Sequence, residues 1–499
     1  MAQTTADLIS MADIARLAGQ SRAAVGNWKS RNPDEFPVER GRGPRGPLYD
    51  RSEVIAWLEA TNRLDQRSPD AVATRHLADQ VRAGLPTDDV IPLTLLLLAL
   101  MASSPSDWET FRSAPVEDLD QSVRAKAHAL FPFAEELLPR GELPGQSLAQ
   151  AVNVASSFDR SRLASLADAL LQQAAEMIGR RGGEYFTPAS VRKLVVRLAE
   201  PTGVLYNPAT GIGQLVVDAA DQRPVTAIYG QEINRRSWAM AQLNLAIHGV
   251  DADIATGDVF TEDKFPDLRA DRVVAVPPWM QKLTAADRLM DDPRWVYGEP
   301  GPNDGNAAWI QHCLYHLADD GRAVLVMPNG ALFEGGRAGR IRQRLVKAGL
   351  LDAVFALPPG LFPWTSLPCS VLIFAKGRPT VDGKPAPVLM VDASEAGEPR
   401  ARRSALSDDL IDNLASLYRD WSAGRMPASD SAAIARFEEL AVNDFVIDPG
   451  RYLSLPQAEL DIAETIKRRS ALAARLDQLT QESREADREL AELLRGGSR

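Results

Sequence analysis

The spacing of apolar and polar positions changes character along this chain, and each change predicts a different kind of structure. Over residues 179–380, short β-type apolar runs alternate with helical stretches. The runs fall at 204–206, 227–230, 253–256, 272–276, 323–327, 351–356 and 370–375. That alternation predicts an α/β domain built on a doubly wound, mostly parallel sheet. Residues 63–178 show little strand pattern and much Ala and Leu, with helical spacing at 91–101, 123–131, 148–155 and 163–178. They predict a helical spacer domain and carry no evident chemistry. Residues 381–455 are mixed, with a polar Gly/Pro-containing start and a short helix near 409–421. In the tail, 456–499, Ile462, Leu472, Leu476, Leu479, Ala486, Leu490 and Leu493 fall on one a/d stripe that Arg469 and Ser483 interrupt. The stripe predicts a long coiled-coil-like helix, which either docks a partner or another copy of the chain or packs back on the body.

Residues 1–62 form a separate pattern. A short helix over 11–18 turns Ile14 and Leu17 inward, Gly19 and Gln20 make a turn, and Ser21 caps a second helix over 22–30. A Pro/Gly/Arg-rich hairpin over 37–49 and a third helix over 51–60 follow. This order resembles the winged helix-turn-helix of excisionase-like and MerR-like DNA-binding modules. Between Arg22 and Arg45 there are six Arg/Lys against three Asp/Glu. The resemblance places Arg22, Asn27 and Lys29 on a helix entering the major groove and Arg40, Arg42 and Arg45 on phosphates. A small protein-interaction module would share the same pattern.

Composition narrows the setting. With 499 residues, 45% hydrophobic and 25% charged, the chain is an ordinary globular protein of several domains. Its two cysteines, Cys313 and Cys369, cannot make a disulfide framework, which points to a reducing compartment. The most apolar stretch, 91–101, is about half a membrane span, and no secretory pattern opens the chain. A cytoplasmic protein without a membrane partner is expected. The net charge of −11 argues against a surface that coats nucleic acid, while leaving room for a local basic patch.

The candidate chemistry gathers at the predicted carboxyl ends of strands. Asn207-Pro208-Ala209-Thr210-Gly211-Ile212-Gly213 follows the first strand, where glycines let the backbone turn tightly at a helix start. Glu232 ends the second strand, placed to accept both hydroxyls of a ribose. Asp258 follows the third, placed to accept an adenine amino group, with Phe260 to flank the ring. Val276-Pro277-Pro278-Trp279 follows the fourth. Upstream stands Gly183-Glu184-Tyr185-Phe186-Thr187-Pro188; downstream, PNGALF at 328–333 and LPPGLF at 357–362.

With these strings in order, residues 180–378 resemble the catalytic domain of adenine-N6 DNA methyltransferases of the gamma class, and among them the modification subunit of type I restriction–modification systems. Residues 443–453 also resemble a segment after that domain. The resemblance implies a Rossmann-like fold with S-adenosylmethionine as methyl donor. It sets Tyr185, Phe186 and Thr187 near the methionine portion, Thr210, Gly211 and Gly213 along the cofactor backbone, Glu232 on the ribose and Asp258 near the adenine, and counts Gly183, Glu184, Pro188 and Asn207 among the cofactor-binding residues. Val276, Pro277, Pro278 and Trp279 would form the catalytic loop, with Trp279 stacking on a flipped-out base. Double-stranded DNA and, through the C-terminal helix, a specificity or restriction subunit are the implied partners.

Two positions depart from the family pattern. The acidic residue of the first loop is Asn207, which lacks the charge that would favour a cationic cofactor. The Asn or Asp that opens the Pro-Pro-aromatic loop is Val276, whose side chain cannot accept a hydrogen bond. Two functions therefore compete: a working DNA adenine methyltransferase, and a cofactor-binding, DNA-binding regulator or scaffold impaired in catalysis. The loop at 302–306 is a further source of a polar acceptor. A metal is not expected. His312 and His316 share a helix face, but Cys313 stands where a zinc-protease motif needs Glu, and no third ligand is evident. Cys369 reads as core.

Overall fold

The computed structural model describes residues 69–453, except 83–84, 179–185, 222–224, 284–290, 401–402 and 426–428. It also describes parts of 8–58 and the helical positions Gln478 and Gln481. Met1–Tyr452 forms one compact unit and Leu453–Arg499 a second. The a/d stripe of the tail and the predicted turn at Gly19 and Gln20 lie outside the described residues.

At the N-terminus, β1 (Leu8–Ser10) and β2 (Glu39–Gly43) flank β3 (Gly46–Asp50) in an antiparallel sheet. The β2–β3 hairpin falls where the wing was predicted; β1 was not foreseen. Ile14, Ala15, Val25, Phe36, Tyr49, Val54 and Leu58 make a small core, with Trp28 and Trp57 packed against it. Trp28 sits 6.0 Å from Trp57, so its ring belongs to this core.

The helical segment is not a detached spacer. Its helix Thr87–Ser103 is apolar on all sides because it is buried from Val90 to Met101. Among the described residues no single helix is long and apolar enough to cross a membrane. Helix Arg235–His248 of the α/β region shares this core through Ala239, Met240 and Leu243. Arg236 pairs with Asp89 at 2.6 Å, and Arg235 with Glu136 at 2.7 Å.

The central sheet has nine strands. In chain order they are β4 (Gly203–Asn207), β5 (Val225–Glu232), β6 (Asp253–Thr256), β7 (Ala270–Ala275), β8 (Leu317–Pro328), β9 (Leu351–Ala356) and β10 (Cys369–Ala375). After a small hairpin of β11 (Thr380–Val381) and β12 (Lys384–Pro385) comes β13 (Val388–Asp392). The last are a second hairpin, β14 (Glu398–Arg400) with β15 (Arg403–Ala405), and β16 (Ala432–Ala435). The order across the sheet is β16-β13-β9-β10-β8-β7-β4-β5-β6. The β4–β5, β5–β6, β4–β7, β7–β8 and β9–β13 pairs are parallel, whereas β10 runs antiparallel to both neighbours. All seven predicted strands are present, and β13 and β16 widen the sheet beyond them.

β9, β10 and the second half of β8 are buried on both faces, which is why they read as unbroken apolar runs rather than alternating ones. Helices Gly305–Tyr315 and Gly336–Lys347 cover one face. Helices Ala189–Ala199, Gln214–Ala220 and Asp408–Ser422 cover the other. The last is anchored by the buried Asp352 of β9, which accepts from the Tyr418 hydroxyl at 2.7 Å and the Trp421 indole at 3.0 Å. Strand order reverses between β4 and β7, and a doubly wound sheet opens a ligand crevice beyond its carboxyl ends at such a switch point.

Candidate active site

The crevice is present. An open cleft of about 790 Å³ lies at the carboxyl ends of β4, β5, β6 and β7. It is lined by Gly211, Glu232, Ile233, Asp258, Val276 and Pro278, among others. Four predicted pieces, far apart in sequence, thus converge on one pocket.

The β4 loop is folded by its own hydrogen bonds. Thr210 donates its backbone N–H to Gln231 O and its hydroxyl to Asn207 O, both at 3.0 Å, and Gly213 N–H donates to Thr210 O. Gly213 has φ +79°, and a Cβ there would lie 3.2 Å from the Cβ of Ala241. Gly230 in β5 is also required: a Cβ would come within 2.4 Å of the Thr210 hydroxyl. Loop and strand end are therefore locked together by close backbone approach.

Glu232 is 6% exposed. One carboxylate oxygen accepts from Gly211 N–H and the other from Asn234 N–H, each at 2.8 Å. Burial pushes its carboxyl above the ordinary range, and these backbone N–H groups partly oppose the shift. The Ile233 N–H adds to this opposition, and the carboxylate lines the cleft. Gln231 beside it ties β5 to the next loop, donating to Gly257 O at 3.1 Å and Glu262 O at 2.8 Å. Asp258 lines the cleft and accepts from Phe260 N–H at 3.0 Å. Phe260 differs from expectation. It is buried against Trp309, ring centroids 4.8 Å apart, and the apolar lining comes instead from Ile233, Val259 and Trp309. Ile233 is 58% exposed.

Beside the cleft, Thr187, Asn207, Thr210, Gln214 and Val276 line a small cavity of about 20 Å³, room for one water molecule. Asn207 is 1% exposed; its Oδ1 accepts from Ala209 N–H at 3.1 Å, while Nδ2 has no hydrogen-bond partner. Thr187 is held from behind by Arg192, which donates to its carbonyl at 2.8 Å and to Asp218 at 2.7 Å. No sequence signal marked Arg192, because its partners lie in different elements. Phe186 is buried in the helical core, Pro188 caps helix Ala189–Ala199, and Gly183, Glu184 and Tyr185 lie outside the described residues.

In the loop after β7, Val276 is half-buried and borders both cavities, Pro277 is buried and Pro278 faces the cleft. Trp279 is 8% exposed. Its indole N–H donates to Val326 O at 3.1 Å, and its ring packs on Phe362 at 4.8 Å and Trp364 at 5.0 Å. The loop at 302–306 braces this segment rather than lining the cleft: Asn306 accepts from Met280 N–H at 3.1 Å, and Pro302 O from Leu283 N–H at 2.8 Å.

Of the six predicted DNA contacts, Lys29 donates to the Tyr49 hydroxyl at 2.8 Å and lies 3.8 Å from Glu39. Arg40 pairs with Glu53. Arg42 is a β2 residue, and Arg22, Asn27 and Arg45 lie outside the described residues.

The structure does bring a third ligand type, Asp263, to His312 and His316. The group is already satisfied without an ion. Arg294 donates to His312 Nδ1 at 3.0 Å, which puts the His312 proton on Nε2, 3.2 Å from the Tyr206 hydroxyl. His316 faces Asp263 at 2.9 Å and Leu268 O at 3.2 Å. A buried guanidinium within the cluster supplies the positive charge a metal would bring. Burial, with His316 and Arg294 nearby, holds His312 neutral, well below the usual imidazole range. Burial also pushes the Cys369 thiol up to about 12, so it is no nucleophile near neutral pH.

A reversed strand order, a cleft at the reversal, a carboxylate closing the second strand and a double-proline corner after the fourth define the methyltransferase class of α/β folds. Comparison with known proteins gives the particular branch: this chain belongs to the N-6 DNA methylase family, whose description, "N-6 DNA Methylase", fits residues 159–461. It is 33% identical over 343 residues to the type I restriction enzyme HindI methylase subunit of Haemophilus influenzae, covering 65% of this chain and 76% of that one. It is 33% identical over 299 residues to the MjaIX methylase subunit of Methanocaldococcus jannaschii, covering 56% of this chain and about half, 53%, of that one. The fold matches the crystal structure of a type I restriction-modification methyltransferase subunit from Streptococcus thermophilus, with TM-score 0.64, 22% identity, and 77% and 99% of the two chains covered.

Proposed function

We propose that this protein binds S-adenosylmethionine in the cleft beyond β4–β7 and methylates the exocyclic amine of adenine in DNA, at a rate restrained by Val276. The carrying observation is the convergence of Gly211, Glu232, Asp258 and Pro278 on one pocket of nucleoside size. The residues present suit that cofactor: Glu232 offers two acceptors to a ribose, Asp258 one to an adenine amine, and Ile233 and Val259 an apolar wall. When bound, the cofactor supplies an electrophilic methyl group. The chain positions the amine with the Pro277 carbonyl and excludes water with Pro278 and the aromatic cluster around Trp279. Its relatives are subunits of type I restriction enzymes, and by analogy it works in an assembly, with the C-terminal segment as a docking element and the N-terminal module as a DNA contact.

The test is methyl transfer from labelled S-adenosylmethionine to adenine-containing duplexes, with calorimetry of cofactor binding in parallel. Transfer to adenine supports the reading. Binding without transfer leaves a cofactor-dependent DNA-binding regulator. No binding rejects both.

Asn207 makes a narrower prediction. Asn207→Asp keeps the acceptor used by Ala209 and replaces an unpartnered donor with negative charge. The variant should bind the cationic cofactor about fivefold tighter relative to its uncharged thioether product, worth ~1 kcal/mol for one partly screened charge. Calorimetry with both ligands measures the ratio. An equal change for both would show that charge at this position is not what discriminates them.

A further inference from the structure

Helix Gly336–Lys347 carries five cationic side chains and no acidic one, in a chain whose net charge is −11. Arg342 points inward, donating to Phe445 O at 2.9 Å and Glu334 O at 2.8 Å. The other four, Arg337, Arg340, Arg344 and Lys347, are exposed and recur at i, i+3, i+7 and i+10, opposite the buried face of Ala338, Ile341, Leu345 and Val346. Among the described residues none of the four is paired with a carboxylate. Arg344 donates to Tyr297 O at 3.1 Å, and Lys347 lies 5.0 Å over the Phe445 ring. Elsewhere surface cations are commonly neutralised, as in Arg40 with Glu53 or Lys193 with Asp408.

The stripe lies on the helix that follows β8, which leaves the sheet at its carboxyl edge. Arg337 packs near Gly301, whose neighbour Pro302 holds the segment that follows Trp279. Two apolar side chains on segments leaving the same sheet edge are more than half exposed, Met280 in the loop after β7 at 58% and Phe333 at the end of the short helix Gly330–Phe333 after β8 at 53%. Four cations of one sign without a carboxylate partner offer a surface to an anionic partner.

We propose that Arg337, Arg340, Arg344 and Lys347 form a rail for one strand of duplex DNA, gripping its phosphates while a base is presented to the cleft. This rests on the DNA-directed reading above and names the surface that performs it. The dimensions agree. The stripe spans ~15 Å at 1.5 Å per residue, and because the phosphates of one strand wind about the duplex axis as they rise 3.4 Å apiece, a straight stripe of that length meets about two or three of them. Phosphate contacts of this kind set register without reading sequence.

The test compares the full-length protein with Arg337→Gln/Arg340→Gln and Arg337→Glu/Arg340→Glu, titrated with a fluorescent 30-base-pair duplex at several salt concentrations. S-adenosylmethionine calorimetry on each variant reports an intact site. The Gln pair should weaken DNA binding about tenfold at low salt and make the plot of log affinity against log salt shallower by roughly two, near 0.9 per lost contact. The Glu pair should weaken it further, with cofactor affinity unchanged. Wild-type salt dependence in both variants would overturn the rail while leaving the DNA reading intact, and would turn attention to an acidic protein as the stripe's partner. Failure of the unaltered protein to bind DNA would overturn the DNA reading and the rail with it.

Discussion

Replacing Val276 by Asn should raise methyl transfer to adenine by roughly 10²–10³-fold, the usual worth of one preorganised polar contact to a transition state, ~3–4 kcal/mol. The adenine amine is a weak nucleophile because its lone pair is delocalised into the ring. Two acceptors that draw on its hydrogens help the nitrogen become tetrahedral as it attacks. In the proposed reaction the Pro277 carbonyl is one, and the side chain at 276 has no atom that can be the other. Val276 borders both the cleft and the adjoining cavity, so the new amide would enter an existing space beside Asn207 and Thr187. The loop itself is held elsewhere, by Trp279 on Val326 and Met280 on Asn306, and has no reason to move. Val276→Ala, which opens the space without adding an acceptor, should show no gain. Initial rates under saturating cofactor and duplex separate the variants. A Val276→Asn protein that binds both ligands normally yet transfers no faster would show that something other than this side chain limits the chemistry.

The sheet was legible because its chemistry is local. β6 and β9 fall at their predicted limits, β9 because it is a mostly apolar, fully buried run and β6 because Gly257 follows it directly. The cleft was legible for a related reason: in a doubly wound sheet, motifs that end successive parallel strands must share an edge. What the sequence hid was pairing at a distance. β16 is four residues of Ala and Ile with no strand signature, and it exists because it completes an edge beside β13. Phe260 looked like a cleft residue by its place after Asp258, but Trp309, forty-nine positions on, claims its ring. Asp263 meets His316 across fifty-three residues, so the histidine pair could not be read as part of a satisfied network. The cations of helix Gly336–Lys347 belong to no sequence motif, and they form a stripe only because the helix buries its other face and leaves them without carboxylate partners.

Glu232→Gln should cost roughly a hundredfold or more in cofactor affinity, about 3 kcal/mol, with little change in fold. A carboxylate bonded to neutral donors makes charge-assisted hydrogen bonds about twice as strong as neutral ones. Gln also has a single acceptor oxygen, and its amide N–H₂ would face either Gly211 N–H or Asn234 N–H, donor against donor. The glycine loop and the sugar contact are therefore loosened by the same substitution. A pH series distinguishes this from simple misfolding, because two effects run in opposite directions. Burial raises the Glu232 carboxyl above its unfolded value. Its contribution to stability is therefore fully present below the unfolded value and is lost as pH rises through the folded one. Ligand binding needs the ionised form, so cofactor affinity should be full above the raised value and fall as pH drops through it, at a higher pH than an ordinary glutamate would impose. In Glu232→Gln both dependences should flatten. Calorimetric affinity and thermal midpoints measured over the same pH range give the two curves, and a wild-type affinity that stays level through the titration of this carboxyl would mean that its charge does not hold the ligand.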